Sequence, residues 1–141
     1  MGNITLTDDT MRFITLFENV TRAQALDCLD KGELLIFVVP KKQVGLAVGK
    51  QGENIRKLKD MMKKNIEVVG FSRDLEAFLR SIFHNYRVKN VTIQEKGEVT
   101  YAKVAVDPGQ KGRAIGRGGT NLRLAREIVN RYFDRTEITI E

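Results

Sequence analysis

Apolar residues between positions 75 and 83 recur at i, i+3, i+4, i+7 and i+8, the spacing that gives an α-helix one apolar face. A second apolar face of this kind covers residues 13–20. Thr7 is the predicted N-cap of the earlier helix and Ser72 that of the later one, because a hydroxyl there accepts a hydrogen bond from the free N–H groups of the first turn. The aromatic residues on both faces are therefore predicted to lie in a hydrophobic core.

A pair of β-rich runs follows each of these helices. The four runs cover about 23–29, 34–39, 88–94 and 99–106. In the second pair, valine and isoleucine alternate with polar residues, which is the period of a half-buried strand. A Lys-Gly-Glu tripeptide separates the two runs of each pair, and its glycine, Gly32 or Gly97, can supply the positive φ of a hairpin loop. Each pair is therefore predicted to form a β-hairpin.

The chain contains an internal duplication with an offset of 67 residues. When residues 45–59 are set over residues 112–126, six of the fifteen pairs are identical and four more are conservative. The identical pairs are Gly45/Gly112, Ala47/Ala114, Gly49/Gly116, Gly52/Gly119, Asn54/Asn121 and Arg56/Arg123. Chance rarely keeps three glycines and their flanks in register, so the repeat predicts two units of one fold.

After each hairpin, both copies continue with a short helix, a glycine-rich loop, a longer helix and a last strand. The last strands are predicted at residues 66–69 and 137–140. The order is thus α-β-β-α-α-β, twice, an α+β fold in which each copy has a three-stranded sheet with helices packed on one face. We expect the first domain to cover residues 1–70 and the second residues 71–141.

The loops that join the two helices are Gly49-Lys50-Gln51-Gly52 and Gly116-Arg117-Gly118-Gly119. Glycines let such a loop turn tightly and let another backbone approach closely. The free N–H groups and positive dipole end of the following helix then face whatever lies on the loop, which suits a phosphate. Lys50 and Arg117 add positive charge, so these two loops are the predicted ligand sites.

Two pairs of polar residues recur just behind the loops. Asn54 and Asn121 are predicted either to donate to a phosphate or base edge or to support the start of the helix, and the sequence leaves both alternatives open. Arg56 and Arg123 recur in the same way and are predicted to contact the ligand of the loops.

Nucleotide-binding motifs of other classes do not fit. A Walker A motif needs four residues between its glycines and Ser or Thr after the lysine, whereas this chain has three between Gly45 and Gly49, and Gln51 follows Lys50. The Rossmann pattern Gly-x-Gly-x-x-Gly does not occur at a predicted strand end. An NTPase or a dehydrogenase is therefore not expected.

Helix, Gly-x-x-Gly and helix beside a three-stranded sheet resemble the KH domain, whose loop clamps about four nucleotides of a single strand. Only residues 120–141 follow the second loop, enough for one helix and one strand. The copies therefore resemble the type II, or prokaryotic-type, KH fold.

Two fused type II KH units resemble the tandem KH region of the NusA family, and residues 8–18 and 45–54 resemble its short archaeal members. The resemblance implies single-stranded RNA binding through both loops and a role in transcription elongation, termination or antitermination, with RNA and the transcription complex as partners. It does not carry over a direct contact with RNA polymerase, because the polymerase-binding and S1 domains of the bacterial form have no counterpart here. The alternative is a ribosome-associated or rRNA-maturation RNA-binding protein.

Charge is distributed as this function requires. The chain has 24 Lys and Arg against 18 Asp and Glu, for a net charge of +6. Residues 41–64 contain eight basic and two acidic residues, and residues 111–126 contain five basic and no acidic ones. Positive charge is thus concentrated around the two loops, as in the electrostatic footprint of a nucleic-acid site.

Other sites and locations are excluded by residue usage. One cysteine, Cys28, and one histidine, His84, are too few for a zinc site of about four ligands, and the sequence shows no nucleophile–base pair. We therefore expect no metal, no cofactor and no enzymatic activity. No apolar run approaches the roughly 18 residues of a membrane span. The lone cysteine and the missing signal peptide favour the cytoplasm, and we expect a monomer.

Overall fold

The computed structural model describes residues 7–141, which form two compact units, residues 7–72 and 73–141. The first unit contains α1 (Asp8–Thr21), β1 (Asp27–Asp30), β2 (Leu34–Pro40), α2 (Val44–Val48), α3 (Glu53–Met62) and β3 (Asn65–Phe71). The second contains α4 (Leu75–Ile82), β4 (Val88–Lys96), β5 (Val99–Val106), α5 (Lys111–Ile115), α6 (Thr120–Asn130) and β6 (Thr136–Ile140). The predicted order α-β-β-α-α-β is confirmed in both units.

The sheet of the first unit has β2 at its centre. β1 pairs with β2 antiparallel and β3 pairs with β2 parallel, so Phe37 lies opposite both Cys28 and Val68. All three helices contribute to a core on one face of this sheet. The buried core residues are Phe17, Ala23, Cys28, Leu35, Phe37, Val39, Ala47, Leu58 and Val68. The rings of Phe17 and Phe37 stack at its centre, 4.1 Å apart and 13° from parallel.

The second unit repeats this topology, with β5 between antiparallel β4 and parallel β6. Its helix α4 packs on α6, and α6 packs on β6. Phe78 of α4 is fully buried and contacts Tyr132 edge-on, with ring centroids 5.7 Å apart. The aromatic residues of the predicted helical faces therefore do lie in the core. In both units the parallel pairing requires a crossover, and that crossover carries the glycine-rich loop between the two helices.

Glycines occupy the hairpin loops as predicted. Gly32 has φ of 78° and Gly97 has φ of 63°, both in the left-handed region. Thr7 caps α1 as predicted: its hydroxyl accepts a hydrogen bond from the Thr10 N–H, and the Thr10 hydroxyl accepts one from the Thr7 N–H.

The prediction of Ser72 as the cap of the second helix is wrong. That helix begins at Leu75 with Asp74 at the N-cap position. β3 extends to Phe71, which pairs with Pro40, so residues 72–74 are needed to turn the chain from strand to helix. Tertiary pairing of the preceding strand therefore sets where this helix starts.

The first strand begins later than predicted, at Asp27 rather than near residue 23. Side chains of neighbouring elements take up the N–H groups of the intervening residues. Thr21 Oγ1, Gln43 Oε1 and Glu18 Oε2 accept from the N–H groups of residues 23, 24 and 25, respectively. The backbone N–H groups of residues 23–25 therefore have hydrogen-bond acceptors without a neighbouring strand.

Replacement of Phe17 by alanine should lower the free energy of unfolding by about 3–5 kcal/mol, because it empties a fully buried ring site and removes the stack on Phe37. Urea denaturation followed by circular dichroism measures this effect. Met11, which is on the same helix and 53% exposed, provides the control: Met11→Ala should change stability by no more than about 0.5 kcal/mol. Equal losses in both variants would contradict the assigned core.

Candidate nucleic-acid interface

The two Gly-x-x-Gly loops have the same backbone conformation. The first loop, residues 49–52, has φ of 80° at Gly49, 56° at Gln51 and 75° at Gly52. The second loop, residues 116–119, has φ of 82°, 64° and 77° at its three glycines. Each loop therefore ends in two consecutive left-handed residues, a conformation that Gly adopts without strain and Gln51 adopts at some cost. The longer helix, α3 or α6, begins at the next residue.

The first glycine of each loop is required by close packing. A Cβ on Gly49 would lie 2.9 Å from the side chain of Asn54, and a Cβ on Gly116 would lie 2.8 Å from the backbone nitrogen of Asn121. Real Cβ atoms essentially never approach other atoms so closely. The start of each longer helix thus lies directly against the bare Cα of the loop.

The asparagines that recur behind the loops connect the two helices of each unit. Asn54 Nδ2 donates to the carbonyl oxygen of Leu46 at 3.0 Å, and Asn121 Nδ2 donates to that of Ala114 at 2.7 Å. Both acceptors lie near the end of the short helix, α2 or α5. Of the two predicted alternatives, the structure shows the supporting role; contact with a ligand stays a prediction.

The recurring arginines hold the loops from behind. Arg56 Nη1 donates to the carbonyl oxygen of Gln51, and Arg123 Nη1 donates to that of Gly118. Both acceptors are the left-handed third residue of a loop. Sequence reasoning missed this role, although the constant spacing of five residues between acceptor and arginine in both copies is a signal for it. RNA contact by these arginines stays a prediction.

The outer surface of each loop carries the groups that remain for a ligand. Lys50, Gln51, Arg117 and Gly118 are all exposed. These residues are the first two of a 3₁₀ turn, at residues 50–52 in the first unit and 117–119 in the second. Their N–H groups have no acceptor within that turn. Within residues 7–141, the side chains of Lys50 and Arg117 have no hydrogen bond or ion pair. Each loop therefore presents two backbone donors and one free cation, which suits an anionic group such as a phosphate.

Basic side chains surround both loops and point to solvent. Of the eight basic residues between 41 and 64, all but the half-buried Lys64 are exposed, and of the five between 111 and 126, all but the half-buried Arg126 are exposed. In the described part of the chain, no group of three or more His, Cys, Asp and Glu side chains is arranged to hold a metal ion. No helix in residues 7–141 combines the length and hydrophobicity that crossing a bilayer requires.

Comparison with known proteins identifies both units. A family model of the KH domain matches residues 14–72, and one of the NusA-like second KH domain matches residues 75–140. A probable transcription termination protein NusA from Thermoplasma acidophilum is 34% identical over 141 residues, which cover 100% of this chain and 98% of that protein. Its counterpart from Halococcus morrhuae is 34% identical over 137 residues, covering 97% and 98%, respectively.

A solved structure shows a similar fold. The crystal structure of APE1850 matches with a TM-score of 0.75 and 32% identity, covering 96% of this chain and 100% of that one. These findings confirm the predicted fold class of two type II KH domains and the family resemblance that the motifs indicated.

Alanine at the first glycine of either loop should destabilise the protein, by at least about 2 kcal/mol, because a positive φ and a contact below 3 Å both oppose a Cβ. Thermal unfolding of Gly49→Ala and Gly116→Ala measures this loss. The matched controls are Gly45→Ala and Gly112→Ala, where a Cβ meets nothing within 4 Å. These should be neutral or stabilising by up to about 1 kcal/mol, and a loss comparable to that of the loop variants would contradict the packing described.

Proposed function

Because the chain belongs to the NusA family of KH-domain proteins, we propose that it binds single-stranded RNA through both Gly-x-x-Gly loops and acts in transcription elongation, termination or antitermination. The observation that carries this proposal is the shared architecture of the loops. In both copies the asparagine and arginine behind the loop donate to backbone carbonyls, whereas the two middle residues of the loop are exposed and offer two N–H groups and one cation without a partner in residues 7–141.

Within each loop, the backbone N–H groups, the cation and the glycines have different roles in binding RNA. The N–H groups of Lys50 and Gln51, and of Arg117 and Gly118, donate to phosphate oxygens, and the two cations neutralise phosphate charge. The glycines allow the RNA backbone to approach within contact distance. The asparagine and arginine behind each loop keep its donors in place, and any contact of their own with RNA adds to that role.

The bound form is a single strand. A Gly-x-x-Gly clamp holds backbone on one side and needs unstacked bases on the other, which a duplex does not offer. The chain has no tryptophan, and Phe17, Phe37, Phe78 and Phe83 are fully buried. Among the large apolar side chains that are exposed, Tyr101 on β5 is aromatic, and no aromatic residue lies within either loop, so bases at the loops meet aliphatic and polar surface rather than an aromatic stacking platform. The proposal requires no catalytic step and no cofactor.

The cellular role is tested by crosslinking bound RNA in growing cells and sequencing it. Nascent transcripts should dominate if the chain acts in transcription, with the transcription complex as its setting. Dominance of mature rRNA would instead favour a ribosome-associated or rRNA-maturation role.

Two aspartates in a loop should weaken RNA binding by at least tenfold, which corresponds to about 1.4 kcal/mol. The variants are Lys50→Asp with Gln51→Asp, and Arg117→Asp with Gly118→Asp; each places carboxylates where a phosphate is proposed. Fluorescence anisotropy with a labelled eight-nucleotide RNA measures affinity, and circular dichroism checks the fold.

Two control variants distinguish loss of the loop site from a general effect of charge and from backbone strain. Lys89→Asp with Asn90→Asp makes the same change of charge at exposed positions of β4, outside both loops, and should cost much less affinity. Gly118→Gln makes the second loop match the first at that position, where Gln51 already has φ of 56°, so it reports backbone strain without added charge. Unaltered affinity in both loop variants would contradict the assignment of the loops as the RNA-binding sites.

Affinity should rise with the length of a single strand up to about eight nucleotides, since each clamp takes about four. A duplex of the same sequence should compete poorly. The logarithm of the binding constant should fall with the logarithm of salt concentration by about 0.7 per phosphate neutralised. Equal competition by the duplex would contradict binding by single-strand clamps, and saturation at four nucleotides would show that only one copy clamps RNA.

A further inference from the structure

The fold does not explain why one identical pair of the internal repeat is glycine. Of the six identical pairs, five are explained by the structure: Ala47 and Ala114 are fully buried, and the loop glycines, asparagines and arginines pack or bond as described. The remaining pair is Gly45 and Gly112. Neither has a positive φ, a Cβ on either would meet nothing within 4 Å, and both are exposed.

Glycine within a helix lowers stability relative to alanine, so the fold alone would favour a side chain at these positions. Both copies nonetheless leave the outer surface of the short helix bare. This surface lies one helical turn, about 5.4 Å, before the loop, because the Gly49 N–H bonds to the Gly45 carbonyl and the Gly116 N–H bonds to that of Gly112. An RNA strand that lies on the loop and continues along the short helix would therefore pass over it.

The residue beside the bare glycine differs between the copies. Leu46 is 50% exposed in the first unit, and its counterpart in the second is the exposed Arg113. The guanidinium of Arg113 bonds to the neutral Oε1 of Gln110 at 3.1 Å, so its charge is not cancelled. The same surface is thus apolar in one copy and cationic in the other.

Charge in the thirteen residues nearest each loop differs in the same direction, although the wider basic segments described above carry a similar net charge. Residues 44–56 contain two basic residues and one acidic residue, Glu53, whereas residues 111–123 contain four basic residues and no acidic one. The net charge is therefore +1 for the first motif and +4 for the second. Thr120 stands in the second copy where Glu53 stands in the first.

We infer that the two clamps, taken as RNA sites on the function proposed above, read different parts of the RNA. In the first unit, Leu46 packs on a base and makes binding depend on the presence and type of base. In the second, Arg113 pairs with a phosphate and holds the strand whatever its sequence. Exposed leucines are common on protein surfaces, but this one borders a loop that presents free donors and a glycine that the fold does not require.

The test measures affinity over a salt series for the full chain with three probes: an eight-residue oligouridylate, an eight-residue oligoadenylate, and an abasic eight-mer with the same ribose-phosphate backbone. Leu46→Ala should lower the affinity ratio of base-containing to abasic RNA by about fivefold, because one aliphatic contact is lost. Its salt dependence should remain that of the wild type.

Arg113→Ala should show the opposite pattern. The slope of log affinity against log salt should become shallower by about 0.7, the value for one phosphate contact on a single strand. The ratio of base-containing to abasic RNA should stay unchanged. Arg113→Lys should restore the slope, because it retains the charge.

The controls are exposed residues of matched character. Met61 is 51% exposed and lies at the end of α3 that is farther from the loop. Met61→Ala therefore removes an apolar side chain as exposed as Leu46, but not beside the loop. Lys89→Ala removes an exposed cation from β4. Neither should change the base dependence or the slope.

A wild-type ratio in Leu46→Ala, or a wild-type slope in Arg113→Ala, would overturn the inference. The double aspartate variants of the loops are measured in the same series. They show whether a negative result concerns this inference alone or the proposed function as well. If those variants lose affinity while Leu46→Ala and Arg113→Ala do not differ in pattern, the loops bind RNA but the clamps are equivalent. If the loop variants bind as the wild type does, the proposed function itself is wrong.

Discussion

Each loop depends on one close approach, that of the longer helix to the bare Cα of the loop's first glycine. At Gly49 and Gly116 no space remains for a Cβ, so the helix begins against the backbone itself. This proximity lets the asparagine two residues past the loop reach the carbonyl of the short helix. The two helices are thereby tied together across the loop, and the residues between them are constrained to a short turn.

One carbonyl of that turn is held by a side chain of the same unit. The left-handed third residue directs its carbonyl toward the arginine five residues later, which donates to it in both units. The first copy keeps Gln51 in this conformation, at a cost of roughly 1–2 kcal/mol relative to glycine. The same turn with Gln51 in one copy and Gly118 in the other indicates that the helix contacts, rather than the glycine content of the third position, determine its shape.

Periodicity and repetition predicted the elements and their order, because apolar spacing and positive-φ glycines are local signals. The starts of β1 and α4 were not predictable in this way. Residues 23–25 satisfy their N–H groups with side chains from α1 and from Gln43, and the start of α4 is delayed by the pairing of Phe71 with Pro40. The contacts of residue 24 with Gln43 and of Phe71 with Pro40 join residues distant in the chain, which residue type alone does not reveal.

The candidate site shows the same limit at the level of single side chains. The sequence located the loops, but an amide or a guanidinium serves a backbone carbonyl as well as a phosphate, so the inward bonds of Asn54 and Arg56 were not evident from their type.

The acidic side chains form their ion pairs with basic residues other than the loop cations. The ion pairs between side chains of residues 7–141 include Asp9–Arg12, Asp30–Lys64, Glu76–Arg80, Arg87–Asp107 and Glu98–Arg135. Among the described residues, no acidic group pairs with Lys50, Arg113 or Arg117. These acids thus pair with bases outside the loops, and the three cations act on a ligand over roughly a Debye length of 8–10 Å in physiological salt.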